Sequence, residues 1–196
     1  MKLRKSHSDL GNNVTKKLPH LIEALLFASE EPLSQAQLAK LAERSEEEVV
    51  DAISELTVRL DRDSALQLKE IAGGFRLETR PEYYENIRDM FVEKKSQKLS
   101  IAALETLALV AYKQPITAIE VAELRMVTSV SAIIRNLLEK KLIKPVGRKK
   151  VIGRPMMYGS TKQFLIHFGL GSLADLPALD DFQEKLEEGG ETNEKP

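Results

Sequence analysis

The sequence predicts a mainly α, α+β protein in which one small module is used twice. Two observations carry that reading. Leu104-Glu-Thr-Leu-Ala-Leu-Val-Ala-Tyr-Lys-Gln-Pro-Ile-Thr117 repeats in outline the earlier stretch Leu21-Ile-Glu-Ala-Leu-Leu-Phe-Ala-Ser-Glu-Glu-Pro-Leu-Ser34. The match continues with Leu38 against Val121 and Leu41 against Leu124. After one residue of slippage it pairs Val49 with Ile133, Val50 with Ile134 and Ile53 with Leu137. A self-match of that length is the mark of a duplicated structural unit. In each copy, helical periodicity then gives way to two short apolar runs joined through glycine, the pattern of a β-hairpin.

In the first copy, Leu21, Ile22, Leu25 and Leu26 fall on one helical face between Pro19 and Ser29. Ser34 can accept a backbone N–H bond as the N-cap of a second, short helix, with Leu38 and Leu41 on its buried side. Ser45 and Glu48 have capping-box spacing and open a third helix, whose stripe is Val49, Val50, Ile53, Leu56 and Leu60. Leu66, Leu68 and Ile71 lead through Gly73-Gly74 into Phe75, Leu77 and Thr79, a hairpin. Pro81 begins a further helix that places Tyr84, Ile87, Met90 and Phe91 inside. Three helices followed by a hairpin is the order of a winged helix.

The second copy follows the same plan. Ser100 starts a helix through Tyr112, Thr117 the next, and Ser129 a third with Ile133, Ile134, Leu137 and Leu138 inside. A hairpin runs from Leu142 to Val146 and returns along Met156 to Ser160; a closing helix carries Phe164, Leu165 and Phe168. The expected fold is therefore a tandem of winged-helix domains. Residues 18–93 form the first and 99–179 the second, with 94–98 as a polar linker, 1–17 as a basic disordered tail and 180–196 as an acidic one.

Composition narrows the function. The chain has 196 residues, a formal charge of −1, 42% apolar residues and no cysteine, so disulfides and thiolate metal sites are excluded. The longest apolar run, Leu107 to Tyr112, is too short to span a bilayer, and the basic start lacks the apolar core of a signal peptide. His7, His20 and His167 are scattered, without the spacing of metal ligands or of a nucleophile and its base. Gly147-x5-Gly153-Arg lacks the spacing and lysine of a phosphate loop, and Gly169-Leu-Gly171 follows a helix, where glycine serves as a C-cap. The expectation is a protein with no catalytic, cofactor or metal site.

Charge then separates the two modules as DNA readers. The third helix of the first module, from Ser45 to Asp63, is dominated by Glu46, Glu47, Glu48, Asp51, Glu55, Asp61 and Asp63, and a phosphate backbone repels it. In the second module the wing carries Arg148, Lys149, Lys150 and Arg154, candidate phosphate contacts. Four cations without stacking aromatics support weak, nonspecific binding at most. Each copy is about 75 residues, with a thin core of its own. Leu18, Ile22 and Phe27 on the first helix exceed the stripe that this core needs, marking a dimer face. Tyr158, Met156, Met157 and Val127 in the second module are the candidate partner-binding residues, because Met and Tyr suit protein contacts.

Several motifs also resemble a known family, the bacterial segregation and condensation protein B, over nearly the whole of Leu18 to Pro177. They include Leu99-Ser100, Leu104-Glu-Thr-Leu-Ala108, Ala111-Tyr-Lys-Gln-Pro-Ile-Thr117, Val146-Gly-Arg148, Gly153-Arg-Pro155, Tyr158-Gly159, Phe168-Gly-Leu170 and Leu173-x-Asp-Leu-Pro177. The resemblance implies two winged-helix domains, homodimerisation mainly through the first, and no enzymatic activity. It further implies assembly with a kleisin (segregation and condensation protein A) and, through it, the Smc ATPase, in chromosome compaction and partition. The alternative is a winged-helix transcription regulator that uses the second wing on DNA. Three positions depart from the family pattern: Ala118 where Arg is common, Met126 where Gly is common, and Ile152 where Pro is common. Met126 argues against a positive-φ turn at that point, since glycine adopts one most cheaply.

Overall fold

The computed structural model describes residues 17–88, 90 and 99–178. Hydroxyl side chains set most helix starts. Ser34 Oγ accepts from Gln37 N–H at 3.3 Å while Gln37 Oε1 accepts from Ser34 N–H at 2.9 Å, which opens α2 (Gln35–Ala42). Ser45 and Glu48 close the same reciprocal box at 3.2 and 2.9 Å to open α3 (Glu46–Arg62). These helices pack with α1 (Leu18–Ala28) around Ile22, Leu26, Leu38, Val49 and Leu56. Strands β1 (Leu66–Ile71) and β2 (Gly74–Thr79) pair antiparallel, and the turn places Ala72 and Gly73 at φ of 53° and 70°. Leu33 bridges to Phe75 through two main-chain bonds of 2.8 and 3.0 Å, so the hairpin gains the start of a third strand. A 3-10 turn (Pro81–Tyr83) and the short α4 (Tyr84–Arg88) follow.

The second half repeats the order. Ser100 caps α5 (Ile101–Lys113), and Thr117 caps α6 (Ala118–Leu124). Then come α7 (Ser131–Glu139), β4 (Ile143–Arg148), β5 (Met156–Ser160) and α8 (Lys162–Phe168), which ends on Gly169 in the left-handed region as its C-cap. Between α5 and α6, β3 (Ile116–Thr117) pairs with Tyr158 and Met157, giving a three-stranded sheet in the order β3-β5-β4. The apolar cluster here, built on Leu107, Val110, Val121, Ile134, Leu137 and Phe164, is separate from the one around Ile22 and Leu56. The two halves touch where Ala72 and Gly73 N–H donate to the carbonyls of Leu170 and Gly171 at 2.8 and 3.1 Å.

Several expectations need correction. Leu41 and its counterpart Leu124 are each 54% exposed, because α2 and α6 are short and bury Leu38-Ala39 and Val121-Ala122 instead. Val50 is exposed: adjacent residues are rotated about 100° apart, and Val49 takes the inner position. Burial aligns Val49 with Ile134 and Ala52 with Leu137, so the slippage between the repeats is two residues rather than one. Ile53 and Leu137 are both buried, as predicted. The third helix of the second module starts at Ser131, with Val130 at the cap; Ser129 Oγ accepts from Ser131 N–H instead of heading the helix. No residue from Pro81 to Arg88 is buried, and Tyr84 and Met90 stand out to solvent. Phe91, the linker 94–98, residues 1–16 of the basic tail and the acidic tail 180–196 lie outside the described residues. Met126 adopts φ 52° despite its Cβ, since α6 ends there and its side chain, 94% exposed, meets nothing.

Candidate interaction surfaces

The wing of the second module is tied to its second helix. Glu120, third residue of α6, accepts from Thr117 N–H at 3.0 Å, from Thr117 Oγ1 at 2.7 Å and from Lys149 Nζ at 2.6 Å. The Lys149 ammonium, and then the Thr117 hydroxyl and amide, hold the Glu120 carboxyl down to about 2. Lys149, one of the candidate phosphate contacts, is thus ion-paired with Glu120 within its own module while its side chain stays 41% exposed. Arg148 donates to the Arg154 carbonyl at 3.1 Å and so fixes the wing's bend; Lys150 and Arg154 are exposed on the same wing, as is Ile152. Three outward cations form a small positive tip rather than a basic groove.

The proposed apolar contacts sort differently. Ile22 is fully buried between the helices of its own module, so it cannot line a dimer face. It lies on the inner stripe with Leu26, whereas Phe27, one step round the helix, is 79% exposed. Leu18 is half-buried against the same core. The first module also exposes Val50, Val58, Tyr84 and Met90, which sequence periodicity had put elsewhere or passed over. In the second module Met156, Met157 and Tyr158 are half-buried on β5, with Tyr158 against the core, while Val127 stands exposed beyond the end of α6 beside Met126.

Two apolar openings lie along α5. One cleft, of about 350 Å³, is lined by Leu104, Leu107, Phe164, Phe168, Leu176 and Pro177. A second, of about 520 Å³, runs between Ala108, Leu109 and Tyr112 on α5 and Leu124 and Arg125 at the end of α6. Tyr112 and Ala108 form the ridge between them. Arg125 is nearly buried: it donates to the buried Thr106 Oγ1 at 3.0 Å and to Glu105 at 2.7 Å, while its Nε has no acceptor among the described residues. Arg125 thus pins α6 to α5 and shapes the second cleft. Sequence reading missed these clefts because Leu104, Ala108 and Tyr112 lie on a helix that looks apolar all round. Thr117-x-x-Glu120 did carry a legible capping-box spacing.

Two winged helices with separate cores, an acidic third helix in the first and apolar clefts on the second, define a tandem winged-helix protein built for protein contacts. Residues 20–179 match the family model described as segregation and condensation complex subunit ScpB. The chain is 42% identical to segregation and condensation protein B of Syntrophotalea carbinolica, covering 89% of this chain and 88% of that one. It is 44% identical to the protein of the same name from Halalkalibacterium halodurans, over 85% of each. A solved structure described as a dimer of the ScpB N-terminal domain complexed with ScpA peptide is 36% identical, covering 37% of this chain and 91% of that one, with a TM-score of 0.35. This chain belongs to the ScpB family of segregation and condensation complex subunits.

Proposed function

We propose that the chain is a non-catalytic accessory subunit of a condensin-like Smc–kleisin complex, acting at the nucleoid in the cytoplasm during chromosome condensation and partition. It dimerises through residues 18–93 and binds the kleisin through residues 99–179, reaching the Smc ATPase through that partner. The observation that carries this reading is the family match, which runs across both modules from residue 20 to 179. The surfaces support it. Phe27, Val58, Tyr84 and Met90 are exposed apolar residues of the first module and are available for a contact with a second copy. The clefts along α5, one of them walled by Leu124, suit an amphipathic partner helix better than a polyanion.

Calorimetry of the full chain against the purified kleisin at low and moderate salt is the test. Binding that persists at moderate salt is expected, with Arg148→Glu changing affinity less than tenfold. Absence of heat removes the partner, and loss of binding with salt shows that charge dominates. A second reading, DNA binding through the wing, rests on exposed Arg148, Lys150 and Arg154. A gel shift showing sequence-specific binding at physiological salt would favour it; weak, salt-sensitive binding is expected.

A further inference from the structure

The hairpin turn of the first module meets the second module through main-chain groups. Ile71 pairs with Gly74, so the hairpin closes through Ala72-Gly73, at φ of 53° and 70°. Positive φ at both central residues is the geometry of a type I′ turn, whose two inner amides point away from their own ladder. Here each finds an acceptor across the module boundary: Ala72 N–H donates to the Leu170 carbonyl at 2.8 Å and Gly73 N–H to the Gly171 carbonyl at 3.1 Å. Gly171 leaves room for this approach, since a Cβ there would stand 2.9 Å from Asp175 Oδ2 and 3.4 Å from the Glu70 carbonyl oxygen. The receiving segment then runs on as a strap over α5. Ser172 and Asp175 close a capping box around a 3-10 turn (Leu173–Asp175), with Ser172 N–H donating to Asp175 Oδ2 at 2.9 Å and Ala174 N–H to Ser172 Oγ at 3.2 Å. Beyond it, the Pro177 carbonyl accepts from the Tyr112 hydroxyl at 2.8 Å. Leu170, Leu176 and Pro177 wall the first cleft together with Leu104 and Phe168.

We propose that the strap from Leu170 to Pro177 couples the two modules: it seats the first module's turn at one end, builds the wall of the first cleft at the other, and each end stabilises the other. The physical reason is entropic. A segment with no more than a 3-10 turn of its own loses conformational freedom when it is fixed, and an anchor at either end removes part of that freedom in advance for the other. The Ser172–Asp175 box lies between the anchors and holds Gly171 and Leu176 in a set relation. In the latched state the turn is docked and the cleft wall is complete. In the unlatched state the Ala72 and Gly73 amides return to water, and Leu176 and Pro177 lose part of their hold on α5. A helix that fills the first cleft against Leu176 and Pro177 therefore also biases how the modules sit, and by linkage their placement biases the filling of the cleft. The coupling is a property of this chain and does not depend on which partner it has.

Amide hydrogen exchange of the full chain, resolved by NMR, reads the latch directly, because the turn's own hairpin gives these amides no acceptor. In the wild type the Ala72 amide is expected to exchange at least about tenfold more slowly than an unstructured one. Tyr112→Phe removes only the hydroxyl at the far end of the strap. It is expected to speed Ala72 exchange about threefold or more, the scale of one net hydrogen bond, while the amides of Leu56 and Leu137 in the two cores keep their rates. Gly171→Ala acts from the other end and should both free the Ala72 amide and shift the Leu104 methyl resonances on α5. An unprotected Ala72 amide in the wild type overturns the latch. Ala72 protection that Tyr112→Phe leaves unchanged, or that falls equally at Leu56 and Leu137, overturns the coupling, as does a Leu104 signal unmoved by Gly171→Ala. If Gly171→Ala does not fold, Tyr112→Phe still decides.

Discussion

Replacing Glu120 by glutamine probes both the start of α6 and the anchoring of the wing. The carboxylate accepts from Lys149 and twice from Thr117, and its side chain is 35% exposed. One pKa unit of difference between folded and unfolded states corresponds to about 1.4 kcal/mol, so a fall from 4.5 to about 2 sets an upper limit of about 3.5 kcal/mol. Solvent screening of a group this open reduces the expected loss to about 1–2 kcal/mol at pH 7. Because the folded-state value is depressed, the contribution is fully present above about pH 4.5 and disappears as pH falls toward 2. Urea denaturation of wild type and Glu120→Gln at pH 7, 5, 4 and 3 measures the difference directly. The gap should be widest at pH 7 and 5, smaller at pH 4 and smallest at pH 3. A gap that stays constant from pH 7 to 3 would refute the assignment of the shift to this cluster. The same substitution weakens the hold on Lys149, so nonspecific DNA binding at low salt should rise modestly.

Other substitutions test the packing. Ile53→Ala and Leu137→Ala each remove a buried aliphatic side chain and should cost about 2–5 kcal/mol by urea denaturation; a loss below about 1 kcal/mol at either would take that residue out of the core. Gly159→Ala places a Cβ 2.7 Å from Gln114 Oε1 and 3.1 Å from Val146 Cγ1. That displaces the acceptor of Ser160 N–H, and a destabilisation of about 1–3 kcal/mol is expected. Met126→Gly relieves a left-handed residue whose side chain contacts nothing, and should stabilise the chain by up to about 1 kcal/mol. A fall in the urea midpoint would mean that the methionine does more than occupy the turn.

The sequence by itself determined what is decided within a few residues. Ser34, Ser45, Ser100 and Thr117 head their helices because each hydroxyl needs only an N–H two or three positions ahead. The hairpins followed from period and glycine, and the repeat survived because both copies obey the same local rules. Even Pro-Leu-Ser34 and Pro-Ile-Thr117 take the same role, since Leu33 and Ile116 each begin the third strand of their wing. Tertiary structure decided whatever depends on which face finds a neighbour. Ile22 turned inward and Phe27 outward, although both are apolar on one helix, because the core accepts one stripe and the rest of the helix must face solvent or another molecule. Gln37 and Glu120 occupy equivalent cap positions, but the carboxylate at Glu120 meets Lys149 from a wing far along the chain. Spacing predicts both caps; the ion pair forms only because the fold brings α6 and the hairpin together, and a charge-assisted contact requires proximity that no local pattern encodes.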